Sequence, residues 1–321
     1  MFDFIGRKKI FFIISSILIL VTILYAAIVG VEMDIQFKGG SIVNYSFSGE
    51  IDLNAVSGLI EQTIGEQVNV QKTEGETQTM IVSLTEEESL TIESQKSMTD
   101  ALIAGFPDNS IEYIDSSNVN PVMGKEFFAK CLVAVAAASL LIIIYIGIRF
   151  RKIGGISAGA MGVLALVHDA IMVFATFAFF RIPLNDNFIA VVLTILGFSI
   201  NDTIVIYDRI RENEALYGGK KELGEIVNLS INQSLTRSIN TSFCGLLVMG
   251  AICVVALING VESILSFAFP MVIGMISGVY STIFIAGPLW VVWKNYRAKH
   301  KNDGGSSKKG KGPGYVGKIK V

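Results

Sequence analysis

The sequence predicts a polytopic α-helical membrane protein: six transmembrane helices plus one extracytoplasmic α+β ferredoxin-like domain of order βαββαβ, inserted between helices 1 and 2. Three observations carry that prediction. The 321 residues are 51% hydrophobic and only 17% charged, a balance far from that of charge-rich soluble domains. Six apolar runs are each long enough to cross a bilayer. One stretch, 32–120, is instead polar and acidic, with Lys38, Lys72 and Lys96 its only basic residues.

The elements follow in chain order. Residues 1–9 are a cytoplasmic N-terminus carrying Arg7, Lys8 and Lys9. Residues 10–31 form the first span, with Ser15, Ser16 and Thr22 as its polar relief. Its length exceeds a signal-peptide core and Ala26-Ala27-Ile28 is a poor cleavage site, so it reads as an uncleaved anchor.

In the polar domain, Gly39-Gly40 marks a turn and Ser41–Phe47 alternates like a strand. Apolar residues at 53, 56, 59, 60 and 64 give a helix face. Gln67–Gln71 and Gln78–Leu84 read as a hairpin around Gly75, Glu86–Phe106 as a second helix, and Ser110–Ile114 as the last strand. That order is a split βαβ sandwich. It holds no histidine, cysteine or clustered catalytic set, which makes it a contact surface rather than a reaction site.

Residues 121–293 form a five-helix transmembrane domain, with spans at 127–148, 153–180, 188–207, 239–257 and 264–293. Gly154, Gly155, Gly159 and Gly162 on the third span, and Gly274, Gly278 and Ala286 on the sixth, favour close helix approach. Leu223, Ile226, Val227, Ser230 and Leu235 make an amphipathic piece expected to lie at the inner interface. Trp290 and Trp293 are placed like an interfacial belt. Residues 294–321 are a basic, disordered cytoplasmic tail, with nine Lys or Arg against the single acid Asp303.

Counting basic residues in the loops puts both termini in the cytoplasm and the acidic domain outside. Cys131, Cys244 and Cys253 all sit in apolar runs, so no disulfide framework is implied.

Functional expectation centres on Gly197–Asn213. Asn201 and Asp202 lie inside an apolar run, Phe188–Tyr207, that is about 30 Å of helix. A carboxylate in hydrocarbon costs roughly 2.5–3.5 kcal/mol on insertion scales, so it faces other helices or a wet cavity and marks a functional site. Asp169 on the third span lies about 16 Å from its outer end and Asp202 about 21 Å from the outer end of the fourth, so the two can share one polar cavity. Arg237 stands at the cytoplasmic entrance of the fifth span. Asn240 and Thr241 follow at i+3 and i+4, completing a stripe expected to face the fourth helix. Burial disfavours an ionised carboxyl and a nearby guanidinium favours it. A carboxyl under both influences can load and release a proton as the arginine approaches or withdraws. His168 beside Asp169 is a supporting polar group. No second His or Cys sits at ligand spacing, so no metal is expected. Gly154-Gly155 and Gly218-Gly219 lack the Lys-Ser/Thr of a phosphate-binding loop. The chain is therefore expected to be no enzyme and to carry no cofactor beyond a coupling ion, H⁺ with Na⁺ as the alternative.

Gly197–Asn213, GFSINDTIVIYDRIREN, resembles the signature of the SecF family, membrane subunits of the bacterial protein-export machinery that belong with SecD in the RND-type transporter superfamily. Phe2-Asp3-Phe4-Ile5-Gly6-Arg7, His168-Asp169 and Ser234-Leu-Thr-Arg237-Ser-Ile-Asn240-Thr-Ser242 are also similar to segments of that family. One departure is Gln36-Phe37-Lys38-Gly39-Gly40, where the family often has Asp-Phe-Thr-Gly-Gly.

The resemblance implies a subunit that pairs with SecD, which supplies the other six helices, and assists the SecYEG channel, with YajC and YidC nearby. Proton motive force would drive a late, ATP-independent step acting on unfolded preprotein outside the membrane. It implies proton-relay positions at Asp202 and Arg237, with Asn201 and Asp169 as further polar positions. Six spans suggest a separate SecF rather than a SecD–SecF fusion. Membrane lipids are the remaining expected contact, and no nucleic acid is expected. Two alternatives remain from the residues themselves: half of a small-molecule or lipid exporter, and a passive scaffold of the channel.

Overall fold

The computed structural model describes residues 1–34, 37, 40–65, 68–73, 78–84, 90–119, 121–259 and 261–305. The turn at Gly39, the departures at Gln36 and Lys38, the Gly75 hairpin tip and the tail from 306 lie outside the described residues.

The membrane part is built from α1 (Lys8–Val29), α4 (Pro121–Arg149), α5 (Gly155–Phe179), α6 (Asp186–Tyr217), α7 (Leu223–Ile258), α8 (Glu262–Ser281) and α9 (Gly287–Gly305). Among the described residues, six helices are long and apolar enough to cross a membrane. The sixth, Ser263–His300, passes through Pro270 and a π-turn at Thr282–Ala286 that joins α8 to α9. The helices are unequally covered: α5, α6 and the sixth span form the buried centre, while α1, α4 and α7 present mostly exposed apolar surface.

Several helices run past the predicted spans: α4 begins at Pro121 rather than 127, α9 continues to Gly305 through the start of the tail expected to be disordered, and two more extend further. The fourth span, predicted as 188–207, runs over Asp186–Tyr217, and the fifth, predicted as 239–257, runs over Leu223–Ile258. At about 1.5 Å per residue these are roughly 48 Å and 54 Å long, well beyond a hydrocarbon core of about 30 Å. The amphipathic piece at 223–235 is therefore not a separate interfacial segment. It is the first third of α7. Polar residues hold the extension together: Asn213 Nδ2 donates to Ser230 Oγ and Gln233 Oε1, both at 2.8 Å, and Arg209 Nε donates to Gln233 Oε1 at 2.8 Å. The N-terminal segment clamps the same stretch. Phe2 N donates to Asn232 Oδ1 at 2.9 Å and Phe4 N to Asn228 Oδ1 at 2.8 Å. Phe4 then inserts into an apolar cluster with Tyr207, Val227, Ile231 and Trp290.

Glycines set the spacing inside the centre. A side-chain carbon on Gly159 would come within 3.2 Å of the Ile143 carbonyl on α4, and one on Gly274 within 2.7 Å of Ile195 on α6. Only a hydrogen fits at either crossing.

The polar domain is a four-stranded antiparallel sheet with order β2-β3-β1-β4, from β1 (Gly40–Ser46), β2 (Val68–Thr73), β3 (Thr79–Leu84) and β4 (Glu112–Val119). One face is covered by α2 (Leu53–Ile64) and α3 (Ile92–Gly105). Alternation drives this: Val43, Tyr45, Met80, Val82 and Leu84 point to one side and are buried against Val56 and Ile60 of α2 and Met98 and Leu102 of α3. Asp52 and Thr91 cap the two helices, each accepting from a first-turn backbone N–H, and Gly65 ends α2 at φ 81°. The connection from α1 into the domain is tied to the α5–α6 loop. Asp34 N donates to Leu184 O, Leu184 N to Glu32 O, and Arg181 pairs with Glu32.

Candidate functional site

The buried centre contains a polar cluster made by four helices. Helix α5 contributes His168 and Asp169, and α6 contributes Ser199, Asp202 and Thr203. Helix α7 contributes Ser242, while Ser277, Ser281 and Thr282 come from α8 and the π-turn. Small residues make the cluster possible. Gly278 lies against Ser199, where a side-chain carbon would come within 3.3 Å, so α8 approaches α6 closely enough for hydroxyls to span the gap.

Asp169 is fully buried, at 0% exposure. Its Oδ2 accepts from Ser199 Oγ at 2.8 Å and Ser281 Oγ at 2.7 Å. Its Oδ1 accepts from Ser277 Oγ at 2.7 Å and faces His168 Nδ1 at 3.3 Å. The four groups saturate a carboxylate as an acceptor. The His168 ring lies beside Tyr280, centroids 5.8 Å apart, and its Nε2 is buried without a hydrogen-bond partner among the described residues. Tyr280 Oη donates to Phe11 O and pairs with Ser15 Oγ, which seats α1 against this side of the cluster.

Asp202 is differently placed. It is buried, at 6% exposure, and among the described residues it accepts a single side-chain hydrogen bond, at Oδ2 from Ser242 Oγ at 3.0 Å. Asp202, Ser199, Ser242 and Gly278 line a cavity of about 10 Å³, room for about one water. Ser199 is thus common to both carboxylates: it donates to Asp169 and borders the cavity of Asp202. Thr203 and Thr282 brace it, with Thr203 Oγ1 donating to Ser199 O at 3.1 Å and lying 3.2 Å from Thr282 Oγ1.

The predicted stripe on the fifth span needs a correction. Arg237, Asn240 and Thr241 lie on the exposed side of α7. The buried polar residues of this stretch are serines instead: Ser230, Ser234, Ser238 and Ser242 recur at a spacing of four, and Ser230 and Ser242 bond Asn213 and Asp202 of α6. A shift of one residue rotates a side chain by about 100° on a helix, and only small side chains fit the close α6–α7 approach. Arg237 remains within electrostatic reach of Asp202, but among the described residues no ion pair joins them. Asn201 is also exposed, on α6. The polar groups therefore divide into an interior set, Asp169 and Asp202 with their hydroxyls and His168, and an outward set, Asn201, Arg237, Asn240 and Thr241. Ser238, one turn from Ser242, carries a buried hydroxyl without a partner among the described residues. The serine periodicity was the available signal for this row. Ser277 and Ser281 repeat the same spacing of four on α8, whereas the π-turn that supplies Thr282 left no comparable pattern in the sequence.

This chain resembles proteins of known family. A family model described as protein export membrane protein SecD/SecF, C-terminal, matches residues 99–296. The chain is 35% identical over 305 residues to the protein translocase subunit SecF of Alicyclobacillus acidocaldarius, covering 94% of this chain and 96% of that one. It is 33% identical over 303 residues to the protein translocase subunit SecDF of Bacillus subtilis, covering 92% of this chain and 39% of that one. Among solved structures, it matches the crystal structure of SecDF from Thermus thermophilus with a TM-score of 0.77 at 27% identity, over 92% of this chain and 39% of that chain. It thus spans nearly the whole of a SecF and well under half of a SecDF. The matched segment contains every interior polar residue described above, and the chain belongs to the SecD/SecF family of protein export membrane proteins as a SecF-type translocase subunit.

Proposed function

We propose that this accessory subunit of the Sec translocase uses the proton motive force to assist late, ATP-independent preprotein translocation, with Asp202 as the group that takes up and releases the proton. The observation that carries the reading is the environment of Asp202: a carboxyl in the middle of the bundle with one hydroxyl donor and a water-sized cavity beside it. A group held so lightly can change protonation with little rearrangement. Ser199 offers a contact between that cavity and Asp169, and the Ser238–Ser242 row offers hydroxyls along α7. Arg237 supplies a positive charge whose distance from Asp202 can change as helices move. A membrane potential provides about 2.3 kcal/mol per proton per 100 mV, enough to bias a bistable arrangement.

The outward polar set fits a SecD-type partner. Asn201, Arg237, Asn240 and Thr241 are poor neighbours for lipid, and a second six-helix half would cover them. The relatives in which SecD and SecF are one chain support that pairing. Basic residues at one end of the bundle support a reading with both termini in the cytoplasm. The 32–120 unit is then extracytoplasmic. We read it as a ferredoxin-like sandwich, consistent with its β2-β3-β1-β4 order, and as the part that meets unfolded preprotein. SecYEG, YajC and YidC are the further partners of this reading. It assigns no enzymatic step and no cofactor to the chain.

The test is preprotein export into membrane vesicles carrying the Asp202→Asn protein with its SecD-type partner, with and without a proton gradient. The reading predicts that ATP-driven export persists and that the gradient adds nothing. Gradient-stimulated export at the unsubstituted level would overturn it.

A further inference from the structure

We propose that a groove at the end of the bundle opposite the polar domain is a binding site for a phospholipid with an anionic headgroup. The groove, about 970 Å³, lies between the α4–α5 connection and α9. Three cations line it: Arg151, Lys294 and Arg297. None of the three has an ion-pair partner among the described residues, and no acidic residue lines the groove. The rest of the wall is largely apolar, with Ile156, Ala160 and Met161 leading away along α5 toward the bundle centre. Cations at the mouth and hydrocarbon along the shaft match a phosphate with an acyl chain.

Local chemistry fixes this shape. Gly154, at φ 87°, lets the chain turn from α4 into α5. Lys294 Nζ lies 3.2 Å from where a Gly154 side-chain carbon would be, and it sits over the Trp290 ring at 5.1 Å. Trp290 is fully buried and its Nε1 donates to Ser157 Oγ at 3.2 Å, which locks α9 against the start of α5. Lys294 is thereby held at the mouth of the groove. Trp293, half-exposed beside it, suits the depth of the headgroups. No side chain caps the N-terminus of α5, which opens into the same groove at Gly155–Ser157 and adds to the attraction for an anion.

Charge decides between occupants. The segment after Gly305 carries Lys308, Lys309, Lys311, Lys318 and Lys320 and no acid, so this chain's own tail is repelled by the three cations. A soluble anion would leave the apolar shaft unused. The outward polar set on α6 and α7 belongs to other helices, so the site is separate from the face assigned to a partner. The inference also stands apart from the proton reading.

The experiment uses the full chain in nanodiscs of phosphatidylcholine with a minor fraction of phosphatidylglycerol, followed by delipidation and native mass spectrometry. Phosphatidylglycerol is expected to stay bound in preference to phosphatidylcholine. Each neutralised charge weakens retention by about fivefold, and R151Q/K294Q/R297Q abolishes the preference. The charge-conserving R151K/K294R/R297K keeps it, which separates loss of charge from loss of fold. K220Q/K221Q, at the α6–α7 turn, also keeps it. Equal loss in K220Q/K221Q, no loss in the glutamine triple, or displacement of the lipid by inorganic phosphate would each overturn the proposal.

Discussion

Asp169 and Asp202 lie on neighbouring helices, share Ser199, and are both buried, yet their surroundings are opposites. Asp169 accepts from three serine hydroxyls and faces His168. Among the described residues Asp202 accepts from Ser242 alone, and it borders a small cavity. The difference is the ground for proposing Asp169 as framework and Asp202 as moving part. A carboxylate ringed by donors is fixed in place, because moving it would leave buried hydroxyls without an acceptor. A carboxylate with one donor and space beside it has little to lose on protonation. In this account Asp169 ties α5 to α6 and α8, and Asp202 exchanges the proton.

That contrast can be broken in several ways. Asp202→Asn should have the largest functional effect, removing all gradient-driven export while leaving the purified protein as stable as before; thermal unfolding and export measured side by side check both halves. Asp169→Asn should do the reverse. An amide at that position points a donor at hydroxyls that need an acceptor, at a cost of about 1–3 kcal/mol, so melting temperature and yield fall first and export falls with them. If Asp169→Asn were stable and selectively lost gradient-driven export, the two roles would have to be exchanged. Ser242→Ala removes the one donor to Asp202, and gradient-driven export should slow by about tenfold, equivalent to about 1.4 kcal/mol, with stability almost unchanged. Gly278→Ala is the mildest: the new carbon meets Ser199 at 3.3 Å, so Ser199 shifts by a few tenths of an ångström. A small drop in export, severalfold less than for Ser242→Ala, is expected in the same vesicle assay.

Much of the architecture was legible because the chain obeys simple periods. Strand alternation in β1 and β3 and the 53/56/60 face of α2 predicted the polar domain, and apolar run length predicted the spans. The ends of α6 and α7 were misread for a physical reason. Run length reports where hydrocarbon stops, whereas a helix stops where backbone hydrogen bonding and packing stop. Asn213, Ser230 and Gln233 carry helical packing beyond the apolar limit. At the site, Asp169 and Asp202 stood out because a charge in an apolar run is costly. Their partners did not, because serine reads as neutral relief in such a run. The four-residue spacing of Ser230, Ser234, Ser238 and Ser242 held the information that Arg237, Asn240 and Thr241 seemed to hold. The π-turn at Thr282–Ala286, which sets Thr282 beside Ser199, depends on how α8 packs and has no local signature.

The central claim is that Asp202 is the carboxyl that exchanges the proton. Infrared difference spectroscopy of the full chain, reconstituted with its SecD-type partner in vesicles and recorded as a proton gradient is imposed, tests it directly. The account predicts one protonated-carboxyl band that appears or disappears with the gradient, is absent in Asp202→Asn, and persists in the fraction of Asp169→Asn protein that folds. A gradient-dependent band unaltered by Asp202→Asn would contradict it.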